Sequence, residues 1–225
     1  MDWDLFDFDL DGFDSSSTPS DSHITHEQIA GSYIGSYDTA GVDFHNEFLG
    51  NLIGNPQFDA SHFHEQSYDN TCAIVAQQGI LESHGIVVSE DELMRIAAQN
   101  GWFTQDGTLM NDMGELLEHF GIDIDYGSNA SIHDLVAQLS QGEKVIVGLD
   151  ASEIWSPESN GDFTNWYAAE LPDQGHAVWI TGIDLENEVV YMNDSGISNG
   201  GGRAVALSDF MNAWEDFGNN YCTTV

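Results

Sequence analysis

Basic residues are almost absent from this chain of 225 residues, in which three Lys and Arg stand against 39 Asp and Glu. The formal net charge of −36 repels nucleic-acid phosphates and anionic membrane surfaces, so we expect neither nucleic acid nor a membrane as a partner. The two cysteines, Cys72 and Cys222, are too few for a disulfide framework or a cysteine-rich zinc site. The sequence has no window that approaches the roughly 18 apolar residues of a membrane helix.

The first residues, MDWDLFDFDLDG, are acidic where a secretion signal would be basic. We therefore expect a cytoplasmic protein, or one exported by a leaderless route. Hydrophobic residues make up 41% of the chain and aromatic residues 11%, which is enough for a packed core. The composition thus favours a folded domain and excludes disorder along the whole chain.

Two segments precede the predicted domain. In residues 1–25, Asp alternates with aromatic side chains, and a Ser-rich run follows. We expect a disordered acidic tail, which is either simply solvated or docks its aromatic side chains on a basic partner. Residues 26–60 are rich in glycine and predict a linker or arm. The domain itself is expected over residues 61–225.

Two partial metal motifs occur in the sequence. Residues 7–12 match the first half of an EF-hand loop, but Thr18 stands where the bidentate Glu should be. His62 and His64 have the spacing of metal ligands, yet no further ligand set accompanies them. We therefore predict no metal and no other cofactor.

Helical patterns come before strand patterns along the predicted domain. The predicted helices span residues 72–84, 90–99, 109–120, 132–139 and 209–217, with Ser208 as the cap of the last. The predicted strands span residues 122–125, 144–149, 177–183, 189–192 and 203–207. This segregation predicts an α+β fold with an antiparallel sheet. The long connection over residues 151–174 carries several aromatic side chains, and we expect it to roof a substrate groove.

Four side chains form a candidate constellation for acyl transfer. Cys72 stands at the start of a predicted helix, where the helix dipole favours a thiolate. Gln66 lies upstream at a distance that lets its amide turn back toward Cys72 as an oxyanion donor. His176 begins one strand and Asp194 ends the next, so pairing of those strands would bring base and orienting carboxylate together. Asn193 is the alternative orienter, but neighbouring strand residues face opposite sides and we select Asp194.

The motifs around these residues resemble those of papain-like cysteine peptidases. The segment QSYDNTCA, residues 66–73, resembles the family's Q-x5-C-[AG] signature, and GHAV, residues 175–178, resembles its histidine strand. The segment VYMND, residues 190–194, is similar to the Asp-bearing strand of the bacteriocin-leader-processing (double-glycine peptidase) branch and its stand-alone relatives. Ser195 departs from that branch, which usually has Pro there, and no exporter is attached.

The resemblance covers residues 61–225 and implies a papain-like fold and a site. It implies Cys72 as nucleophile, His176 as base, Asp194 as orienter and Gln66 as oxyanion donor. The function expected from it is that of a thiol hydrolase, which cleaves a peptide or isopeptide bond. The acidic surface should favour basic substrates. An acyltransferase or transglutaminase-like enzyme would use the same site. A catalytically inactive binding module, or an acidic protein that depends on calcium or salt, remains a further alternative.

Overall fold

The computed structural model of the chain describes residues 52–155 and 175–225. These residues form a seven-stranded antiparallel sheet with helices on both faces, so the predicted α+β class is confirmed. The acidic tail, the half-matched calcium loop and most of the aromatic connection lie outside the described residues.

The helices and strands follow one another in this order along the chain. The strands are β1 (Leu52–Gly54), β2 (Ile124–Gly127), β3 (Val145–Asp150), β4 (Gly175–Asp184), β5 (Val189–Asn193), β6 (Arg203–Ala206) and β7 (Tyr221–Thr224). The α-helices are α1 (Pro56–Ala60), α2 (Cys72–Ser83), α3 (Glu90–Asn100), α4 (Glu115–His119), α5 (Ile132–Ser140), α6 (Ala151–Trp155) and α7 (Leu207–Glu215).

The order of strands across the sheet is β2-β7-β3-β4-β5-β6, and β1 pairs with the far end of β4. The C-terminal strand β7 therefore lies inside the sheet, between β2 and β3. Strand β4 is the longest and pairs with β1, β3 and β5. Its first residues, where His176 lies, form the end of the sheet that faces the start of α2.

The sheet separates two apolar cores. Strand β3 is buried along its whole length, and its side chains alternate between the two faces. Val147 and the residues two positions before and after it in β3 pack beneath α5 and α7, where Phe210 and Trp214 are fully buried. Ile146 faces the opposite core, formed with α2, α3 and α4 around Trp179. Helix α2 is therefore clamped between the sheet and two further helices, which fixes the position of its first residue.

The helix predicted over residues 109–120 is broken in the structure. A 3₁₀ turn at Met110–Asp112 is followed by Gly114 and then by the short helix α4. A Cβ atom at Gly114 would lie 2.1 Å from the side chain of Ile124. The chain approaches β2 so closely here that tertiary packing breaks the helix. The apolar pattern of the sequence, which predicts a continuous helix, contains no information on this contact.

The prediction of a linker or arm over residues 26–60 is wrong for residues 52–60. Strand β1 pairs with β4, with Leu52 opposite Asp184, and helix α1 follows it directly. Asp59 on α1 is buried and accepts a hydrogen bond from Lys144 Nζ at 2.6 Å. The folded domain thus includes residues 52–60, which the glycine-rich composition had placed before it.

Two further details differ from the prediction. Helix α7 begins at Leu207 after Ala206, so Ser208 lies inside the helix and does not cap it. Strand β7 was not predicted at all, because its sequence YCTT is short and half polar. Within residues 52–155 and 175–225, we find no helix with the length and apolar character that crossing a bilayer requires.

Candidate active site

Cys72 is the first residue of α2 and lies at the edge of a polar loop. The preceding Thr71 is fully buried but makes no side-chain cap to the helix. Its hydroxyl instead lies 2.6 Å from Glu90 Oε1 and 3.0 Å from the carbonyl oxygen of Tyr68. The Thr71 side chain therefore does not cap the first N–H groups of α2. Their partial positive charge favours a negative charge at Cys72.

Glu90 anchors this loop from the start of α3. Besides contacting Thr71, its carboxylate accepts a hydrogen bond from the backbone N–H of Ser67, at 3.0 and 3.1 Å from its two oxygens. The neighbouring Asp91 accepts from the Tyr68 hydroxyl at 2.9 Å. Two carboxylates of one helix therefore hold the chain between Gln66 and Cys72 in place.

His176 and Asp194 are in direct contact. The two residues lie near the paired ends of β4 and β5, and His176 Nε2 is 2.8 Å from Asp194 Oδ1. Both side chains are almost completely buried. With Nε2 engaged by the carboxylate, Nδ1 is the ring nitrogen that remains for the thiol of Cys72.

Asn193 faces away from this pair. Its Nδ2 donates to the backbone carbonyl of Asp59 at 2.8 Å, and its Oδ1 accepts from the N–H of Gly202 at 2.9 Å. The side chain thus ties β5 to α1 and to the loop before β6. Only Asp194, of the two candidate orienters, touches His176.

The pKa values of the thiol and the imidazole move in opposite directions. Burial raises the pKa of Cys72, but a hydrogen bond and the charge of His176, with the amides of Ala177 and Ala73, more than offset it, so the thiol pKa lies below its usual range. Burial lowers the pKa of His176, whereas Asp194 and Cys72 raise it to about 9. Together these shifts favour a thiolate–imidazolium pair near neutral pH.

The Asp194 carboxylate is surrounded by donors. Oδ1 accepts from His176 and from the N–H of Gly196 at 3.1 Å, while Oδ2 accepts from Trp155 Nε1 and from Arg203, each at 2.8 Å. Burial raises the pKa of Asp194, but the His176 interaction, followed by Trp155 and Arg203, holds it below its usual range. The carboxylate therefore stays ionised although it is fully buried.

Trp155 also covers the imidazole. Its ring stands edge-on to that of His176, with centroids 5.1 Å apart. A Cβ atom at Gly196 would lie 2.5 Å from the Trp155 ring and 3.2 Å from His176 Cε1. Only glycine leaves room at this position for the indole to shield the His176–Asp194 hydrogen bond from water.

Gln66 is held beside this pair by Ser195. The Gln66 N–H donates to the Ser195 carbonyl, and the Ser195 hydroxyl donates to Gln66 Oε1, both at 2.9 Å. Because Oε1 is engaged, Nε2 points the other way and donates one hydrogen to Tyr68 O at 2.8 Å. That carbonyl also contacts Thr71, which places the amide near the start of α2.

The four predicted residues are therefore brought together at one end of the sheet, and four others that the sequence reasoning did not select join them. These are Trp155, Ser195, Arg203 and Glu90. Arg203 carried a weak signal in the sequence, because it is one of three basic residues and follows Asp194 by nine positions. Trp155, Ser195 and Glu90 carry no such signal, because their contacts with the site join distant parts of the chain.

The remaining candidates lie elsewhere. Cys222 is buried in the sheet, where burial and then Glu118 raise its pKa to about 12. Both cysteines are free thiols. His64 pairs with Glu82 at 2.6 Å, whereas His62 lies next to Ser61 and the carbonyl of Phe58. The part of the chain that the structure describes contains no group of three or more His, Cys, Asp or Glu side chains that could hold a metal ion.

Comparison with known sequences places this arrangement in a family context. The model of the Peptidase_C39 like family matches residues 24–222. Uncharacterized protein Rv1268c of Mycobacterium tuberculosis is 28% identical over 192 residues, covering 73% of this chain and 81% of its own length. Uncharacterized protein Mb1299c of Mycobacterium bovis matches to the same extent. The match begins well before residue 61, as does the fold.

Comparison with solved structures gives the same fold. A chain from Bacillus anthracis, described as a C39-like peptidase, superposes with a TM-score of 0.55 and covers 77% of this chain and 97% of its own. Its sequence identity is 17%, so the likeness concerns the fold alone.

Proposed function

The chain belongs to the Peptidase_C39 like family, and from that premise we propose that it is a thiol hydrolase that cleaves a peptide or isopeptide bond. The observation that carries the proposal is the contact chain at the end of the sheet: a thiol with a lowered pKa, an imidazole with a raised pKa and a buried carboxylate 2.8 Å from that imidazole. Nucleophile, base and orienting group are the parts that acyl transfer needs.

In the proposed acylation step, the Cys72 thiolate attacks the substrate carbonyl carbon and forms a tetrahedral oxyanion. The Cys72 N–H and the remaining Nε2 hydrogen of Gln66 stabilise that oxyanion. When the carbon–nitrogen bond breaks, the imidazolium of His176 gives its proton to the leaving amine. Asp194 remains ionised throughout and holds the imidazole by Nε2.

Deacylation reverses these roles with water. Neutral His176 takes a proton from a water molecule, whose oxygen attacks the thioester carbonyl. The second tetrahedral intermediate collapses, the carbon–sulfur bond breaks and Cys72 leaves as a thiolate. The products are a carboxylic acid and the restored thiolate–imidazolium pair, so that the cycle needs no cofactor.

We also propose that the substrates are basic. The chain has a formal net charge of −36, and its three basic side chains are all engaged with carboxylates of its own: Arg95 with Glu92, Lys144 with Asp59 and Arg203 with Asp194. The surface therefore offers a substrate a strongly negative field that attracts Lys- and Arg-rich segments. Added salt should weaken substrate capture because it screens this field.

An activity-based thiol probe tests the proposal, followed by profiling on a peptide library. We expect the probe to label Cys72 at neutral pH and the library to yield cleaved peptides with basic residues near the cut. Cys72→Ala is the inactive control and Cys222→Ala the active one. A folded wild-type protein whose Cys72 the probe leaves unlabelled would overturn the proposal and favour a binding module. Products joined to an added amine, with little free acid, would show an acyltransferase instead.

A further inference from the structure

Arg203 occupies an unusual position for a cation in this chain. Arg95 and Glu92 form an exposed pair one turn apart on α3. Lys144 pairs with buried Asp59 and lies 5.6 Å from the ring centroid of Trp179. Arg203 is the basic residue that contacts the candidate active site, through Asp194.

The Arg203 guanidinium joins two elements of that site. One nitrogen donates to Asp194 Oδ2 at 2.8 Å, and another donates to the backbone carbonyl of Ile154. Ile154 is followed directly by Trp155, whose indole N–H reaches the same Oδ2 and whose ring stands edge-on to His176. One side chain at the start of β6 therefore fixes both the carboxylate and the end of α6 that carries the shielding indole.

We propose that Arg203 is a positioning residue of the active centre, which holds the Asp194 carboxylate and the Trp155 indole in place around His176 through its contacts with Asp194 and Ile154. This inference rests on the proposed function. It adds a fourth member, which acts only through Asp194 and Trp155, to the group of Cys72, His176 and Asp194.

The charge of Arg203 also has a role that a neutral donor would not fill. Asp194 is fully buried, and its charge is balanced by His176 only while the imidazole is protonated. His176 gives up its proton during the proposed cycle. Arg203 supplies a fixed positive charge at that stage, because a guanidinium keeps its charge in proteins. It therefore keeps a buried carboxylate compensated when the imidazole becomes neutral.

Three other carboxylates lie on the elements around this cluster. Asp150 at the end of β3 accepts hydrogen bonds from Ser152, and Glu153 on α6 accepts one from Asn212. Glu90 approaches from α3 through Thr71. All three carboxylates are present in every variant, so a difference in pH dependence reports on position 203.

The test measures how fast iodoacetamide alkylates Cys72 between pH 4 and pH 9 in the full-length protein, together with turnover of a cleaved peptide. Loss of a nearby positive charge raises the pKa of every ionisable group around it. In Arg203→Met, the midpoint of Cys72 alkylation should move upward by about half a pH unit or more. Turnover at pH 7 should fall about 10-fold. Arg203→Lys should keep the midpoint and lose part of the turnover, because it keeps the charge without the reach to Ile154.

Arg95→Met is the matched control, because it removes one positive charge from the exposed pair on α3 and leaves the site untouched. Its alkylation midpoint and turnover should equal those of the wild type. Arg203→Gln keeps an amide donor and loses the charge, and it gives the same reading if the Met variant does not fold. A midpoint that stays at the wild-type value in the folded Met or Gln variant would overturn the role of Arg203 and leave the proposed function standing. A wild-type Cys72 with no enhanced reactivity would overturn the proposed function itself.

Discussion

The two cysteines of this chain lie in regions that treat the same thiol in opposite ways. Cys72 begins α2 beside His176, and its pKa is lowered. Cys222 lies in β7 against the carbonyl oxygen of Met113, 3.7 Å away, and its pKa is raised to about 12. Burial raises the pKa at both positions, so burial does not explain the difference.

The two regions differ in the groups that contact the cysteine sulfur. At Cys72 the helix start and an imidazole supply donors and positive charge, and together they outweigh burial. At Cys222 the thiol contacts a carbonyl oxygen, and Glu118 adds a negative charge. A strongly acidic protein can therefore hold a thiolate where local donors are within contact distance, because charges beyond about 10 Å are screened.

Removing the Cys72 sulfur should have the largest effect. Cys72→Ala should reduce turnover of a cleaved peptide to background, because it removes the thiol that contacts His176. Its melting temperature should stay near that of the wild type, since Cys72 lies at the edge of the core. Peptide turnover measured beside thermal melting checks both halves, and a folded variant with wild-type turnover would contradict the assignment.

Gln66→Ala should lower kcat by about 10²-fold, because it removes a side-chain donor to the oxyanion and leaves the nucleophile intact. Ser195→Ala should cost less, about threefold to 10-fold, since it frees the amide of Gln66 to rotate without deleting it. Alkylation of Cys72 should proceed at nearly the wild-type rate in both. A loss of kcat in Ser195→Ala that equals or exceeds the loss in Gln66→Ala would contradict these roles.

The pH dependence of turnover should show the raised pKa of His176. The reactive ion pair exists above the lowered pKa of Cys72 and is lost as the pH rises through about 9, where His176 deprotonates. Asp194→Asn removes the carboxylate charge, so the alkaline limb should move to lower pH and turnover should fall about 10-fold. Asn193→Ala is the matched control and should leave the limb in place; a shift there instead would show that the orienting residue is Asn193.

Cys222→Ala should have the smallest effect on function. The side chain packs between Gly114 and the core beneath α4, so its removal should lower the free energy of unfolding by about 1 kcal/mol. Turnover should remain at the wild-type level. Urea unfolding together with peptide cleavage checks this, and a loss of activity in the folded variant would show that the two regions are coupled.

The parts of the fold that the sequence predicts are those whose signals are local. Helix α2 has a continuous apolar pattern and ends before Gly85, and α3 begins after the cap Ser89, whose hydroxyl accepts from the N–H of Glu92. Strand β7 has no such signal, because its place between β2 and β3 depends on pairing with residues far away in the chain. Strand β1 is similar, since its short glycine-ended sequence becomes a strand only against β4.

The site divides in the same way. Gln66, Cys72, His176 and Asp194 stand in short motifs that a reader of the sequence can find, and their catalytic roles stay predictions. The contacts of Arg203 with Asp194 and Ile154 come from β6 and α6, which no motif joins. The hydrogen bonds between Ser195 and Gln66 likewise join two distant loops. Residues that support a site from other parts of the chain become visible only when the chain is folded.

The most direct measurement compares alkylation of the two cysteines in one sample. The native protein is treated with iodoacetamide at pH 7, and mass spectrometry follows the rate at each cysteine in the wild type and in His176→Ala. We expect Cys72 to react at least about 10²-fold faster than Cys222 in the wild type and to lose most of that advantage in the variant. Equal rates at the two cysteines in the native wild type, or a Cys72 rate unchanged in folded His176→Ala, would contradict the account.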